Sequence, residues 1–544
     1  MNTAELLIAC LENEGVEYIF GLPGEENLHV IEALNDSSIQ FITTRHEQGA
    51  AFMADVYGRL TGKAGVCLST LGPGATNLMT GVADANLDGA PLIAITGQVG
   101  TDRMHIESHQ YLDLVAMFTP VTQWSSQIVR PSNTPETVRK AFKIAQAEKP
   151  GAVHIDLPEN IAAMAAPGRP LHVTRREQTV AAAADLAEAA ALIAQAQHPL
   201  MLVGNGVIRA GASAALTALV DRLQIPVANT FMGKGAISFE HPRSLWCVGL
   251  QQRDFINCGL DRADLIITVG YDLIEYSPKR WNPEGRLPII HIAREAAEID
   301  SSYIPKLELV GDLSATLLAL AGQSASVATD AYTTTLRQAI VAEYEQYAQD
   351  DGFPLKPQKI LYVLRQVLGP KDIVISDVGA HKMWIARHYH CYEPNTCLIS
   401  NGFAAMGIAL PGAIAAKLVH PDRKIVAVMG DGGFMINSQE LETAVRLGLA
   451  FVVLIFNDGG YGLIEWKQNN QFGHASQVKF GNPDFVKYAE SMGVKGYRVS
   501  SAAELMPTLE AALAWDGPTL IDCPVDYREN LKFSEQAGKL VCQI

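Results

Sequence analysis

Two short segments carry the most chemical information. Gly430-Asp431-Gly432 follows the apolar run Ile425 to Met429, and Asn457-Asp458-Gly459-Gly460-Tyr461 follows the run Ala450 to Phe456. A glycine turn that leaves a buried strand and opens a helix presents backbone N–H groups to an anion such as a phosphate. If the two strands are sheet neighbours, the carboxylates of Asp431 and Asp458, 27 residues apart, emerge at one edge and can hold a hard cation against a diphosphate. Mg2+ suits such a site, because two side chains, a main-chain carbonyl, phosphate oxygens and a water complete its octahedron. Taken alone, the same residues also read as a helix cap and an ordinary turn, so the elements around them must decide.

Those elements repeat. Short β-branched runs bounded by glycine or proline read as buried strands: Val66 to Thr70, Pro91 to Thr96, Met201 to Gly204, Leu265 to Gly270, Ile373 to Ser376, Ile425 to Met429 and Ala450 to Phe456. Helical patterns alternate with them, as in Leu441 to Leu447, which implies parallel sheets covered on both faces. The pattern lapses at about 165–184, around Pro167-Gly168-Arg169-Pro170, and again at about 322–357, where a Ser/Thr/Ala-rich stretch and a polar helix candidate precede Asp351-Gly352-Phe353-Pro354. The expected architecture is therefore α/β, three doubly wound parallel-sheet domains at 1–165, 185–322 and 355–544. The first and third blocks look like copies of one unit, since Val66 to Thr70 leads into Leu71-Gly72-Pro73-Gly74 much as Ile425 to Met429 leads into Gly430-Asp431-Gly432-Gly433. In open sheets of this kind a ligand sits beyond the carboxyl ends of the strands.

Gly-Asp-Gly followed at that interval by Asn-Asp resembles the signature of enzymes that use thiamine diphosphate. The resemblance implies that Asp431, Asp458 and the Gly460 carbonyl bind the metal. It places Gly430, Gly432, Gly433, Tyr461, Gly462 and Leu463 along the cofactor, with Gly379, Ala380 and His381 meeting the diphosphate from the other side. Gly402 and Met406, in Asn401-Gly402-Phe403-Ala404-Ala405-Met406-Gly407, match the segment that wedges an apolar side chain beneath the bent cofactor. Glu47, in Arg45-His46-Glu47-Gln48-Gly49, takes the part of the glutamate that donates a proton to the aminopyrimidine, and so turns a ring nitrogen into the base for the thiazolium carbon.

Across essentially the whole chain the resemblance is to the acetolactate synthases, particularly the catabolic type without flavin. Segments such as Phe20-Gly21-Leu22-Pro23-Gly24, Glu440-Leu441-Glu442-Thr443 and Val525-Asp526-Tyr527-Arg528-Glu529-Asn530 carry it. It implies that one pyruvate is decarboxylated on the cofactor and that the two-carbon fragment is ligated to a second pyruvate, giving 2-acetolactate. Gln110 matches a glutamine near the reacting carbon, and His109 lies beside it. No FAD is expected: Gly204-Asn205-Gly206 is a weak dinucleotide-like echo, but Gly270-Tyr271-Asp272-Leu273-Ile274-Glu275-Tyr276 replaces the segment that flavin-containing relatives place there. The rival reading is a 2-keto acid decarboxylase that releases an aldehyde. His105 and His109 are not the adjacent histidine pair of such enzymes, which favours the synthase. In the other direction, Glu25, followed by Glu26, stands where many relatives have a small residue after Pro-Gly, and a carboxylate there would repel a second anionic keto acid. Trp466 falls one position before the tryptophan that biosynthetic relatives link to 2-ketobutyrate preference, so acceptor preference is not read from it, and taken alone it also reads as a surface residue. A non-catalytic scaffold has no reason to hold Glu47, Asp431 and Asp458 together. The resemblance also implies that Glu47 and the diphosphate site converge from different subunits, so that the assembly is a homodimer at minimum, extended to a homotetramer.

Composition closes off other classes. Of 544 residues 48% are apolar, and 58 acidic against 42 basic residues leave a net charge of −16 without any basic stripe, so nucleic acid is not an expected partner. Apolar runs fall well short of the roughly 18 residues that span a bilayer, and no basic segment precedes a cleavable apolar stretch; the expected location is cytoplasmic, off the membrane. Eight scattered cysteines without a Cys-x-x-Cys pair are expected to be buried free thiols.

Overall fold

The computed structural model describes residues 1–174, 179–249, 255–327 and 331–531. Parts of both pattern breaks, 175–178 and 328–330, and Cys542 lie outside the described residues. Three six-stranded parallel sheets succeed one another along the chain. The first holds β1 (Tyr18–Gly21), β2 (Gln40–Thr43), β3 (Gly65–Ser69), β4 (Leu92–Gln98), β5 (Trp124–Gln127) and β6 (Ala152–Pro158) in the order 2-1-3-4-6-5. The second holds β7 (Pro199–Val203), β8 (Val227–Asn229), β9 (Ser244–Cys247), β10 (Leu265–Val269), β11 (Ile289–Ala293) and β12 (Leu307–Val310) in the order 12-11-10-7-8-9. The third holds β13 (Ile373–Ser376), β14 (Cys397–Ile399), β15 (Ile425–Gly430), β16 (Val452–Asn457), β17 (Lys495–Arg498) and β18 (Thr519–Pro524) in the order 14-13-15-16-18-17. Renumbered from its own first strand, the third sheet has the order of the first, so the two outer units share one topology. The central sheet instead has the dinucleotide-binding order of doubly wound folds.

Six helices carry or flank the candidate site residues: α1 (Glu47–Thr61), α2 (Pro73–Asp88), α3 (Ala380–His388), α4 (Ala409–Val419), α5 (Asp431–Asn437) and α6 (Gly462–Phe472). The start of α1 is set by the His46 ring, which accepts the Gln48 N–H at 3.1 Å, and its end by Gly62 in the left-handed region. Pro73 in the first turn of α2, where a missing N–H costs nothing, and Gly89 after its last turn bound that helix in the same way.

One continuous apolar core joins the outer units. It runs from Phe20, Phe52 and Leu78 to Ile375, Leu410, Ile414 and Phe434, all buried. Helices α1 and α4 meet there closely enough that a β-carbon on Gly412 would lie 2.9 Å from the Val56 side chain. Within the second pattern break, the helix Ala331–Glu345 packs Leu336, Ile340 and Tyr344 against the central unit. Cys10, Cys67, Cys247, Cys391, Cys397 and Cys523 are buried free thiols as expected, whereas Cys258 is disulfide-bonded. Trp466 is buried, 6% exposed, and is no surface residue. Among the described residues no helix is long and apolar enough to cross a membrane.

Candidate functional site

β15 and β16 are paired neighbours, with Gly430 opposite Phe456, so the turns at their ends open at the same sheet edge. Asp431 is buried there. Its Oδ1 accepts the Gly432 N–H, and its Oδ2 accepts the Gly459 N–H at 2.8 Å and the Asn482 side-chain amide at 2.7 Å. Asp458, on the adjoining turn, has one oxygen, Oδ2, that is buried without a hydrogen-bond partner. Burial, and next the charge of Asp431, push the Asp458 carboxyl up to about 7. A β-carbon on Gly462, at the start of α6, would lie 2.6 Å from that same oxygen, so glycine keeps the space beside it open.

Two further buried polar atoms without partners belong to the same edge, His381 Nε2 and the Tyr527 hydroxyl. His381 stands in the first turn of α3, and a β-carbon on Gly379 or on Gly430 would come within 2.8 or 3.4 Å of its ring, which draws Gly379, His381 and Gly430 together. Burial pushes the imidazole down to about 3, so it is neutral. Burial raises the Tyr527 phenol, and the charges of Asp458 and Asp431 raise it further. Buried polar atoms in native proteins nearly always have partners. Three orphans around two converging carboxylates, at the mouths of two strand-to-helix turns, fit a bound anion–cation pair. Among the described residues there is no group of three or more His, Cys, Asp or Glu side chains able to hold a metal; a hard cation between the two carboxylates would draw on main-chain and ligand oxygens as well.

Met406 and Gly402 lie half-buried in the connection between β14 and α4. The Gly407 N–H is 2.9 Å from both oxygens of Asp377, a buried carboxylate at the end of β13. Tyr461 is 41% exposed and its ring sits against Phe480, while Gly460 and Gly462 are buried and Leu463 is half-buried. Gly432 and Gly433 complete the first turn of α5.

The first unit builds a second cluster at the carboxyl edge of its own sheet. Glu47, 9% exposed, opens α1, and its Oε2 accepts the Asn77 side-chain amide at 2.9 Å. Its Oε1 faces Gly74, where a β-carbon would lie 3.3 Å away. Gly72, with φ +50°, backs onto Gln110, whose Cβ would be 2.8 Å from a Gly72 β-carbon. Gln110 and His109 are exposed on the loop after β4. Glu25 is exposed at the rim, whereas Glu26 turns inward and accepts the Thr70 hydroxyl at 2.6 Å. No hydrogen bond or ion pair among the described residues joins Glu47 to Asp431 or Asp458, although Glu440 of the third unit accepts the N–H groups of Arg45 and His46 beside Glu47. Asn77, Asn482, Asp377 and Tyr527 are the members of the site that sequence reasoning missed.

At the switch point of the central sheet, the Gly204-Asn205-Gly206 turn is closed by the chain itself. The Asn205 N–H lies 3.1 Å from both oxygens of Glu275, and the Gly206 N–H donates to the Gly270 carbonyl. Glu275 also accepts the Thr230 hydroxyl; burial, and next the charge of Asp272, push its carboxyl up to about 8 against the pull of that hydrogen bond.

Three family models match the chain: Thiamine pyrophosphate enzyme, N-terminal TPP binding domain, at residues 1–117; the central domain of the same enzymes at 186–320; and their C-terminal TPP binding domain at 377–523. The chain is 38% identical to an acetolactate synthase of Bacillus subtilis (strain 168), over 99% of this chain and 96% of that protein. It is 38% identical to a catabolic acetolactate synthase of Raoultella terrigena, over 97% and 95%. It is 32% identical to the acetolactate synthase isozyme 2 large subunit of Escherichia coli (strain K12), over 98% and 97%.

Proposed function

The chain belongs to the thiamine pyrophosphate (thiamine diphosphate) enzymes, and from that premise we propose that it is an acetolactate synthase, a transferase that converts two pyruvates to 2-acetolactate and carbon dioxide. Near full-length identity of 38% to proteins named for that activity supports the choice within the family. Bound thiamine diphosphate supplies a carbon nucleophile that adds to the keto carbon and an electron sink that accepts the pair left when carbon dioxide departs.

The chain's own residues prepare that chemistry. Asp431, Asp458 and the Gly460 carbonyl would hold Mg2+, and the turns at Gly379-Ala380-His381 and Gly430 to Gly433 would receive the diphosphate. The observation that carries this reading is the set of partnerless buried atoms, Asp458 Oδ2, His381 Nε2 and the Tyr527 hydroxyl, gathered beside Asp431. Glu47, whose Oε2 is taken by Asn77 while Oε1 is left free, would be placed to exchange a proton with the pyrimidine of a bound cofactor. Neutral His381 can accept or donate beside the diphosphate without repelling the metal. Met406 would pack against the cofactor, and Gln110 and His109, exposed on the loop after β4, would face the substrates.

Flavin has no place in this reading. The amides that would grip a dinucleotide phosphate at Asn205 and Gly206 are taken by Glu275 and Gly270. The three units, taken as 1–165, 185–322 and 355–544, assemble as a homodimer at minimum and as a pair of dimers beyond it, in the cytoplasm. Incubation with pyruvate, thiamine diphosphate and Mg2+, without FAD, followed by mass spectrometry, tests the whole reading: 2-acetolactate is expected. Acetaldehyde alone would assign a decarboxylase instead.

A further inference from the structure

Four charged side chains that take no part in the proposed reaction are buried in the seam between the first and third units. Asp55 and Arg59 lie one turn apart on α1, and Asp84 and Asp88 one turn apart on α2. The three carboxylates are essentially inaccessible and Arg59 is 9% exposed. The guanidinium serves all three: Nε on Asp55, Nη2 on Asp88 at 2.7 Å and on Asp84 at 3.3 Å. One cation serves three buried carboxyl groups, of which burial and the neighbouring carboxyls push Asp55 and Asp84 up, a costly arrangement unless other donors converge on it.

The other donors come from a single segment, the connection between β14 and α4. Asp84 Oδ1 accepts the Ser400 hydroxyl at 2.7 Å and the Ala405 N–H at 3.2 Å. Asp88 accepts the N–H groups of Asn401, at 3.1 Å, and of Gly402. Arg59 donates to the Ile399 carbonyl at 3.2 Å, and Lys382 of α3 donates to the Ser400 carbonyl at 3.1 Å. The fit tolerates no side chain at 402, where a β-carbon would lie 2.7 Å from Asp88 Oδ1 and 2.8 Å from the Leu87 carbonyl. Ala404 is held at φ +59°, an uncommon conformation for alanine that its surroundings must maintain. Met406 lies two residues further on. The other end of α2 carries Asn77, the partner of Glu47, so one helix sets both elements.

We propose that Asp84 and Asp88 are positioning residues for the cofactor: by fixing the backbone of residues 400–405 they hold Gly402 and Met406 in the arrangement that grips thiamine diphosphate. The inference rests on the assignment of thiamine diphosphate to this chain. Three variants of the full-length protein test it: Asp88→Asn, which turns an acceptor into a donor facing N–H groups; Ser400→Ala, which removes only the hydroxyl that binds Asp84; and Gly402→Ala, which pushes the segment off Asp88. Thiamine diphosphate with Mg2+ is titrated by tryptophan fluorescence, with kcat, KM for pyruvate and the melting temperature without cofactor measured alongside. The expected result is a cofactor Kd raised about tenfold or more in Asp88→Asn and Gly402→Ala, and about threefold in Ser400→Ala. The KM for pyruvate stays within about twofold of wild type at saturating cofactor, and the Ser400→Ala melting temperature is unchanged. Wild-type cofactor affinity in both Ser400→Ala and Gly402→Ala overturns the proposal, even if Asp88→Asn does not fold. Failure of the wild-type protein itself to bind thiamine diphosphate overturns the thiamine reading and the proposal with it, and is distinguishable from the previous outcome.

Discussion

Replacing Asn482 by alanine isolates a residue that touches Asp431, the carboxylate proposed to hold the metal, without itself being a proposed ligand. Its side-chain amide donates to Asp431 Oδ2 at 2.7 Å and to Asn457 Oδ1 at 3.1 Å, and Asn457 in turn donates to Asp522, which Arg498 holds at 2.9 Å. Asp431 is 1% exposed, so water cannot easily replace the lost donor. A hydrogen bond to a buried carboxylate is worth about 1.5–3 kcal/mol, and loss of an outer partner that orients a metal ligand typically weakens metal binding about ten- to hundredfold. The remaining two donors to Asp431 are backbone amides, so the turn survives and the fold with it. The expected outcome is that the Mg2+ concentration for half-maximal pyruvate consumption, at saturating thiamine diphosphate, rises at least about tenfold, while kcat at saturating Mg2+ falls less than about threefold. An unchanged Mg2+ requirement would refute the reasoning, because Asp431 would then be oriented by its backbone donors alone or would not hold the metal. A collapse of kcat with the Mg2+ requirement intact would refute it too, by moving Asn482 from the metal to the reacting groups.

Glu47→Gln keeps the Asn77 contact but cannot supply the proton, so turnover should fall by about 10²–10⁴ while calorimetry still detects thiamine diphosphate binding; a variant with full turnover removes Glu47 from catalysis. Glu25→Gln takes an exposed carboxylate off the rim beside Gly24, and the ratio of acetolactate to acetaldehyde, read by mass spectrometry, should rise; an unchanged ratio means that Glu25 does not face the second keto acid. Burial pushes the Glu440 carboxyl up to about 7, although the Thr443 hydroxyl and the N–H groups of Arg45 and His46 pull the other way. A glutamate of the unfolded chain titrates near about 4.3, so the folded protein keeps this proton to higher pH, and its contribution to stability falls as pH rises from about 4.3 to about 7. In Glu440→Gln the melting temperature should therefore decline less over that interval than in the wild type; parallel profiles would show that Glu440 is ionised throughout.

How much of this was legible in the sequence depended on whether the signal was local. The pairing of β15 with β16 could be anticipated because two apolar runs, each ending in a glycine turn with an acidic residue, leave little else for parallel strands to do. The likeness of the outer units showed in their turns and is repeated in their strand order. Asn482 was hidden because Gly481-Asn482-Pro483 reads as an ordinary turn, and its partner Asp431 is 51 residues away. Trp466 was misjudged for the same reason: its burial comes from the third unit's core and not from the spacing of its own helix. Asp84 and Asp88 did leave a trace. Like charges one turn apart disfavour a helix, and this pair lies on one whose neighbours Leu78, Val82 and Ala85 are buried, so a solvated face could not account for both. What no local pattern supplies is the identity of the compensating groups, since Ser400 lies 316 residues further along the chain. A local rule broken without a local return therefore marks a residue answering to a distant segment, and here the distant segment is the one that carries Met406.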